Sequence, residues 1–497
     1  MISSEQMPIL IIIVPLLGAF LVNIAGCFNK KLCWPLTNII LLLSTYAAIR
    51  TLGMVMTGGE ISYRLGGWPP PFGIEYMVDH LNGLVLVVIN GISLLVALYS
   101  KKSVERELAD KTTLFYTIFI LLVCGLSGMT ITGDAFNLYV LLEISALTGY
   151  ALIAIGSERS LMASFNYLML GTIGASLYLL GTGHLYIMTG SLNMGDLSNL
   201  LPHLYDTQAV FAAFALIMVG VWTKMAFFPL HTWLPNSYTH APTATACLAA
   251  PLVTKVSVYI MLRAMFSIFT PRYVYDYLDV APTIVWLAVA AIIGGSILAL
   301  TQRDLKKMLT YLIVAEVGYM VGGAWLATRM GLTGTILHIV NDALMTLCLF
   351  MAAGAIAYKT GSLNFDNLKG LFARMPFTMA AFTLGALSMI GVPPTAGFFS
   401  KWYLLLGAID AGQWGYMAAL LFSSLVNAIL FFRIFEIAFF ESPTAEASGH
   451  GHETVAVEEA PLTMLAPLLL VAIGLVVLGL YSGDIVTSII RYAIPIP

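Results

Sequence analysis

Long apolar stretches recur along this chain and constrain its fold more than any other feature. Runs of about 20 apolar residues, enough to cross a hydrocarbon core about 30 Å thick, follow one another from Met7 onward. Apolar residues make up 59% of the sequence and charged residues 10%, whereas soluble domains average about 45–50% and 25%. Because helices satisfy their own backbone hydrogen bonds within lipid, the sequence predicts an all-α polytopic membrane protein.

The apolar pattern predicts about fourteen transmembrane helices. They begin near residues 7, 32, 79, 112, 135, 161, 208, 245, 281, 305, 331, 376, 413 and 461. With the N-terminus placed outside, most of the 23 lysines and arginines fall in inner loops, as the positive-inside rule requires. Lys30 and Lys31 follow the first apolar run instead of preceding it, which is the reverse of a signal peptide. We therefore expect a retained first helix and both termini outside.

Helices 4–8 and helices 9–13 form a weak internal repeat. Lys224 precedes Pro229 in the first unit, and Pro393 and Pro394 precede Lys401 in the second. Proline removes a backbone hydrogen bond, so one helix in each unit is expected to be broken, and Lys401 is interpreted as the counterpart of Lys224. Consecutive five-helix units have opposite orientations, which predicts inverted repeats.

The expected division of the chain follows from this repeat. It comprises helices 1–3 with an outer hairpin loop (1–111), the first repeat (112–270), the second repeat (281–441), a polar cytoplasmic linker (442–460) and helix 14 (461–497).

No cofactor and no metal site is expected from the sequence. The five cysteines are scattered and lack the paired spacing of a metal or redox motif. His450 and His452 lie in the polar linker, where a solvated loop is favoured over a metal site. A net charge of −3 spread over 497 residues indicates no nucleic-acid partner. We find no nucleophile motif, so an enzyme acting alone is not favoured.

Charged residues inside the predicted helices require an explanation. Lys224, Lys255 and Lys401 each place an ammonium at membrane depth, at a cost of about 2.5–3.5 kcal/mol on insertion scales. The alternative for a lysine near a helix end is that its amine reaches the interface. Glu143 lies in an apolar stretch and must be paired or protonated. A pair with Lys224 is predicted, either as a proton switch or as a structural salt bridge.

A polar stripe is predicted on the eleventh helix. Thr335, His338, Asp342 and Thr346 recur at spacings of three or four residues and so share one face. This stripe is interpreted as part of a proton path, and the alternative is that it joins helices by hydrogen bonds. Glu316, on the helix that matches the one carrying Glu143, is a second candidate carboxylate switch.

One segment carries a resemblance to a known family. Its residues are Lys224, Phe227, Pro229, His231, Trp233, Leu234, Pro235, His240, Ala241, Pro242 and Lys255. It resembles the signature of proton-translocating antiporter-like subunits found in respiratory complex I, Mrp sodium/proton antiporters and membrane-bound hydrogenases. The segments 302–318, 338–354 and 391–401 resemble the same family in the same order, so the resemblance covers the core of the chain.

The resemblance implies a proton path through a helix-5 glutamate, two lysines on helices 7 and 8, and a lysine or glutamate on helix 12. Glu143, Lys224, Lys255 and Lys401 match these positions, and His338 extends the path. A lysine at position 401 looks more like the Mrp D-type member than like the complex I member that has glutamate there.

A secondary path is expected to involve His231, Glu316, Asp342 and Thr346. The last three depart from the family pattern, which commonly has histidine or glutamine, a second histidine, and lysine at these positions. The path in the second half is therefore expected to run through carboxylates.

The leading hypothesis is a proton-translocating subunit in a bacterial or archaeal cytoplasmic membrane, driven by redox chemistry or ion exchange in partner chains. Nothing in this sequence binds a flavin, nicotinamide or metal centre. Its expected partners are other membrane subunits, including further antiporter-like ones, with lipids and H⁺. One alternative is a Na⁺/H⁺ antiporter module of an Mrp-type complex, which sodium dependence of transport would distinguish. Another is a structural subunit that does not translocate ions and tolerates neutral lysine replacements.

Overall fold

Helices account for nearly all of the structure, a computed structural model that describes residues 6–440 and 457–495. Within these residues, twelve helices are long and apolar enough to cross a membrane. Two shorter apolar helices, Gln208–Lys224 and Pro376–Ile390, complete the fourteen spans predicted from hydropathy. The prediction of an all-α polytopic membrane protein is confirmed. His450, His452 and most of the 442–460 linker lie outside the described residues.

Three helices and a small hairpin form the N-terminal part. They are α1 (Met7–Phe28), α2 (Cys33–Gly58), β1 (Ile61–Arg64), β2 (Glu75–Val78) and α3 (His80–Glu107). The two strands pair antiparallel in the loop between α2 and α3. A capping box starts α3, because Asp79 and Asn82 each accept a hydrogen bond from the other's backbone N–H.

Two similar units follow. The first contains α4 (Thr112–Ile131), α5 (Ala135–Ala154), α6 (Glu158–Thr189), α7 (Met194–Leu200), α8 (Gln208–Lys224), α9 (Trp233–His240) and α10 (Thr243–Arg263). The second contains α11 (Ala281–Leu300), α12 (Leu305–Trp325), α13 (Arg329–Thr360), α14 (Leu371–Arg374), α15 (Pro376–Ile390), α16 (Ala396–Asp410) and α17 (Trp414–Phe440). The chain ends with α18 (Leu462–Leu480), α19 (Ser482–Ile485) and α20 (Arg491–Ala493).

The two units share one loop sequence, at residues 189–193 and 360–364, and each copy is called a joint below. The sequence Thr-Gly-Ser-Leu-Asn occurs at 189–193 and again at 360–364. Gly190 and Gly361 end α6 and α13 with φ angles of 74° and 75°, a conformation that glycine adopts without strain. The matching hydrogen bonds run from Ala135 N to Leu192 O at 2.8 Å and from Leu305 N to Leu363 O at 2.9 Å. An odd number of spans separates the joints, so they lie on opposite faces and the repeat is inverted.

Each unit contains one broken helix. In the first unit α8 ends at Lys224 and α9 begins at Trp233; in the second α15 ends at Ile390 and α16 begins at Ala396. The last turn of a helix leaves carbonyl groups without intrahelical partners. The Trp233 indole N–H donates to the Thr223 carbonyl at 2.9 Å, so a side chain beyond the first break satisfies one of them.

Three helices form the interior of the bundle. In α10, α12 and α13, 94% of an 18-residue apolar stretch is buried, compared with 39% in α1 and α6. Polar side chains on these three helices therefore face other protein atoms. These polar side chains must form hydrogen bonds with neighbouring helices, because a buried polar group without a hydrogen bond is destabilising.

The C-terminal helix α18 covers the second break. A Cβ atom added at Gly479 would lie 1.9 Å from the Pro394 carbonyl oxygen, so only glycine allows this approach. The segment before α18 is anchored at the start of α15, where the Glu459 carboxylate accepts backbone N–H groups of Phe377 and Thr378. A hydrogen bond from Arg374 lowers the pKa of Glu458 below its ordinary value.

Candidate functional site: three lysine–carboxylate pairs

The first ion pair lies at the break between α8 and α9. Lys224 Nζ is 3.9 Å from Glu143 Oε1 on α5, so the predicted pair forms. Lys224 is buried, whereas the Glu143 side chain is 27% exposed. Lys224 is also the last residue of α8, and a cation is favourable at the negative end of the helix dipole. The end of the helix therefore holds a lysine beside a partly accessible carboxylate.

Tyr150 completes the first cluster. It lies two turns after Glu143 on α5, and its hydroxyl is 3.4 Å from Lys224 Nζ. The ammonium also lies 5.9 Å from the centroid of the Tyr150 ring, within the range of a cation–π contact. The family resemblance did not indicate this tyrosine. Its seven-residue spacing from Glu143 is the sequence signal that could have found it, since both then face the same side of α5.

The second ion pair lies in the most buried part of the protein. Lys255 Nζ on α10 is 2.9 Å from Asp342 Oδ2 on α13, and the two side chains are 2% and 0% exposed. Lys255 also donates to Thr346 Oγ1 at 3.3 Å, and Thr346 donates to Asp342 Oδ1 at 2.9 Å. Two of the residues that depart from the family pattern thus form one closed network with Lys255.

The third cluster joins three helices of the second unit. His338 Nε2 on α13 is 2.6 Å from Glu316 Oε2 on α12, and His338 Nδ1 is 2.9 Å from Ser400 Oγ on α16. Lys401 Nζ is 3.9 Å from Glu316 Oε1, with both side chains almost fully buried. Glu316 therefore contacts an imidazole through one oxygen and an ammonium through the other.

Lys401 also satisfies the broken end of α15. Its ammonium donates to the Met389 carbonyl at 2.6 Å, in the last turn of that helix. Gly391 ends the helix with a φ of 95°, and a Cβ there would lie 3.3 Å from Lys401 Cδ. The expected equivalence of Lys401 and Lys224 is wrong. Lys224 ends the half-helix before its break, whereas Lys401 lies in the half-helix after its break and reaches back across it.

The polar stripe on α13 connects the second and third clusters. Asp342 and His338 are one helical turn apart and contact Lys255 and Glu316, respectively. Thr335, at the far end of the stripe, donates to the Met320 carbonyl at 3.2 Å, as the helix-joining alternative predicts. Among the described residues, no hydrogen bond or ion pair links Lys224 directly to Lys255.

His231 stands apart from these contacts. It lies in the first break, and its ring stacks on Phe228 with centroids 5.2 Å apart. Its Nδ1 atom is buried and has no hydrogen-bond partner in the part of the chain that the structure describes. Neither of these features joins it to Lys224 or Lys255, so its place on a secondary path remains a prediction.

A cavity of about 280 Å³ approaches the second ion pair from one face of the bundle. Its outer lining includes Asp304, Lys306 and Ser362, at the joint of the second unit, and its inner lining includes Ala246 and Phe350. These two residues lie one turn from Ala250 and Thr346, which accept hydrogen bonds from the Lys255 ammonium. The cavity lining therefore comes within about one helical turn of the Lys255 network, without including Lys255, Asp342 or Thr346.

The segment that contains the three lysine–carboxylate pairs matches a known protein family. The family described as "NADH:quinone oxidoreductase/Mrp antiporter, TM" matches residues 132–427, a segment that contains all three ion pairs. The chain belongs to this family. The membership expected from the sequence is thus confirmed, and the arrangement of lysines and carboxylates described above lies within the family's transmembrane segment.

Relatives named for both branches of the family are similar to the chain. The N subunit of NADH-quinone oxidoreductase from Desulforudis audaxviator is 42% identical over 99% of both chains. The D-type Na(+)/H(+) antiporter chain of Bacillus subtilis is 32% identical over 87% of this chain and 86% of its own. A chain of an archaeal membrane-bound sulfane sulfur reductase superposes with a TM-score of 0.89 at 31% identity, covering 97% and 96% of the two chains. A chain of the Mrp complex from Dietzia sp. has a TM-score of 0.88 at 24% identity, covering 98% and 96%, and supports the fold alone.

Proposed function

We propose that this chain translocates protons as an antiporter-like subunit of a multisubunit membrane complex. The observation that carries the proposal is that three buried lysines each lie within 3.9 Å of a carboxylate from another helix. Lysine and carboxylate both exchange protons, and a row of them at membrane depth is typical of proton relays. Glu143, Lys224, Lys255, His338 and Lys401 form the main path, and Glu316, Asp342, Thr346 and His231 support it.

The pairs are proposed to move protons by changing their separation. At an effective dielectric of 20, an ammonium and a carboxylate attract by about 4 kcal/mol at 4 Å and about 2 kcal/mol at 8 Å. Drawing a carboxylate away by about 4 Å therefore weakens proton binding to its lysine about 30-fold. The Lys224–Glu143 pair is suited to this, because its 3.9 Å separation and partly exposed carboxylate hold it less tightly than the central pair.

Access is proposed to come from the face that carries the 280 Å³ cavity. Its inner end supports proton exchange with Lys255, and the α13 stripe supports onward transfer through Asp342 and His338 to Glu316. Lys401 then acts as the terminal group, because a protonated lysine repels a second cation by about 3 kcal/mol at 5 Å and dielectric 20. Inverted units place the two ends of such a path toward opposite faces.

The chain is a multi-pass membrane protein, and its relatives are subunits of membrane complexes. We propose a prokaryotic cytoplasmic membrane with both termini outside, because lysines and arginines then crowd the inner loops. The driving reaction belongs to partner subunits, and the partners include other membrane subunits of the same complex.

Sodium/proton antiport is the second candidate. A relative named for Na(+)/H(+) antiport favours it, as does the lysine at position 401. The two functions predict different ion dependence. Proton transport that persists when choline replaces sodium supports the first proposal, and a strict requirement for sodium supports the second.

The test is proton movement in sealed liposomes that contain the purified complex. Lys224→Gln and Lys401→Gln should each lower transport by about tenfold or more, because glutamine cannot carry a proton. Lys359→Gln is the matched control, since Lys359 is exposed at the end of α13. For the central pair, a Lys255→Gln/Asp342→Asn variant removes both charges and leaves no unpaired charge behind. Transport at the control level in assembled variants would show that the pairs are structural.

A further inference from the structure

A group of lysines gathers at one end of the N-terminal helices, far along the chain from the ion pairs. Lys30 and Lys31 lie in the turn between α1 and α2, and Lys101 lies near the end of α3. Among the described residues, none of the three has a carboxylate within 4 Å. Within the described ranges, Lys30 donates one hydrogen bond, to the Asp110 carbonyl at 3.3 Å. Across residues 6–440 and 457–495, the cluster therefore holds positive charge that no carboxylate pairs with.

These lysines line a cavity of about 570 Å³. The remainder of its lining consists of Trp34, Pro35, Val104, Glu105, Ala109, Thr112 and Tyr116. The one acidic residue among them, Glu105, is already paired with Lys102 at 2.7 Å. The cavity thus combines three ammonium groups with a largely apolar and aromatic wall.

The position of the cavity favours a lipid over a soluble anion. It lies where α1, α2, α3 and α4 reach their ends, at the level expected for headgroups. The Trp34 indole donates to the Ala97 carbonyl at 2.9 Å, and Lys101 Nζ lies 4.5 Å from the Trp34 ring centroid. Deeper along α2, Ile39, Leu42 and Leu43 are each more than half exposed, which offers an apolar surface to acyl chains.

We propose that this cavity binds the headgroup of an anionic phospholipid, with the acyl chains against the exposed side of α2. The lysines would contact the phosphate as point charges, and Trp34 would lie beside the glycerol region. Basic pockets between transmembrane helices bind anionic headgroups in this way. The proposal does not depend on proton translocation, because no residue of the three ion pairs lines the cavity.

The test compares lipid retention by the purified full-length chain in native mass spectrometry. Phosphatidylglycerol and phosphatidylcholine are added at equal concentrations to the natural protein and to a Lys30→Gln/Lys101→Gln variant. The natural protein should retain phosphatidylglycerol preferentially. Each lysine near the surface contributes about 1 kcal/mol, so the double variant should bind it about 30-fold more weakly.

The matched control is Arg159→Gln/Lys359→Gln, which removes two exposed charges from the same face of the bundle outside the cavity. It should retain the lipid as the natural protein does. An equal loss of phosphatidylglycerol in both double variants would overturn the proposal. So would a natural protein that retains phosphatidylcholine as well as phosphatidylglycerol. Displacement of the lipid by millimolar inorganic phosphate would indicate a site for a soluble anion and would also overturn it.

Discussion

At the scale of single residues, the three lysines differ in how firmly they are held. Lys255 and Asp342 are 2.9 Å apart and fully buried, and Thr346 bonds to both. Lys224 and Glu143 are 3.9 Å apart, and Glu143 is partly exposed. Removing one partner of a buried pair is more destabilising than removing both, because the remaining charge is uncompensated. The central pair therefore has the larger structural role and the first pair the larger freedom to separate.

Gly171 provides a way to disturb the first cluster without changing a charged residue. A Cβ atom at this position on α6 would lie 1.9 Å from the Tyr150 hydroxyl, so Gly171→Ala must displace Tyr150 from Lys224. A hydrogen bond to a charged group contributes about 1.5–3 kcal/mol. We expect proton transport to fall several-fold and stability to fall by about that amount, measured by liposome assays and denaturant unfolding.

The matched control is Gly183→Ala on the same helix, where an added Cβ meets no atom within 4 Å. It should leave transport unchanged. A Tyr150→Phe background removes the 1.9 Å approach and leaves the nearest ring atom 2.9 Å from the added Cβ, so Gly171→Ala should then have a smaller further effect on transport. A full additional loss in that background would mean that Gly171 acts through helix packing and not through Tyr150.

The sequence predicts the pair of Glu143 with Lys224 but not the pair of Lys255 with Asp342. A carboxylate isolated in an apolar helix needs a base, and Lys224 lies beside the first helix break. Asp342 is placed correctly on the α13 stripe, since periodicity assigns residues to a face. Which helix packs against that face is a tertiary property, and helical spacing carries no information about it. The contact with Lys255, 87 positions away in the sequence, needs the structure.

At the scale of elements, the broken helices supply polar groups where an intact helix has none. The break after α15 exposes the Met389 carbonyl, and Lys401 and the Asn427 amide both donate to it, at 2.6 and 3.2 Å. Proline predicts the break correctly, because its ring removes a hydrogen-bond donor. The sequence does not reveal that Lys401 reaches backward across the break, since that direction depends on how α16 leaves it.

The packing of α18 on this break can be tested through Gly479. An added Cβ would meet backbone atoms of Pro394, Thr395 and Ala396 at 1.9–3.0 Å, which cannot rotate aside as a side chain can. Gly479→Ala should therefore move α18 or the break, at a cost of about 1–3 kcal/mol of overpacking strain. Because Lys401 follows this break, proton transport should also fall, measured in the same liposomes.

Gly474→Ala is the control on α18, because its added Cβ meets no atom within 4 Å. It should keep natural stability and transport. If the Gly479 variant matches it in both measurements, then α18 does not fix the geometry of the second break. A loss of stability with full transport would limit α18 to a structural role.

At the scale of the whole molecule, the two units are related most clearly by their joints and less clearly by their charges. Asp134 caps α5, which carries Glu143, and Asp304 caps α12, which carries Glu316. The two aspartates form equivalent antiparallel β-bridges, with Asn193 and Asn364 respectively. The repeated Thr-Gly-Ser-Leu-Asn sequence is the signal that aligns the units. Lysine positions give a misleading alignment, because Lys224 lies before the break in its unit and Lys401 lies after the break in its own.

The joints also provide a test of orientation. Asn199 on α7 and Asn367 in the turn Phe365–Leu368 are both exposed, and each lies close after its joint. If the units are inverted and both termini are outside, Asn199→Cys should react with an impermeant maleimide in intact cells. Asn367→Cys should react only after the membrane is permeabilised. Both variants are made with Cys27→Ser, because Cys27 is the exposed cysteine of the five and the other four are buried.

Comparing the two cysteine variants separates the orientation of each joint from its accessibility to the reagent. Labelling after permeabilisation shows that each thiol is reachable. A thiol that stays unlabelled even then is covered, for example by a partner chain, and gives no information on orientation. Labelling of both from outside would contradict the inverted arrangement, because an odd number of spans between the joints requires opposite faces. Labelling of Asn367→Cys alone would keep the inversion but place both termini inside. That result would put the 280 Å³ cavity, whose mouth lies at the second joint, on the outer face, and would reverse the proposed direction of proton access to Lys255.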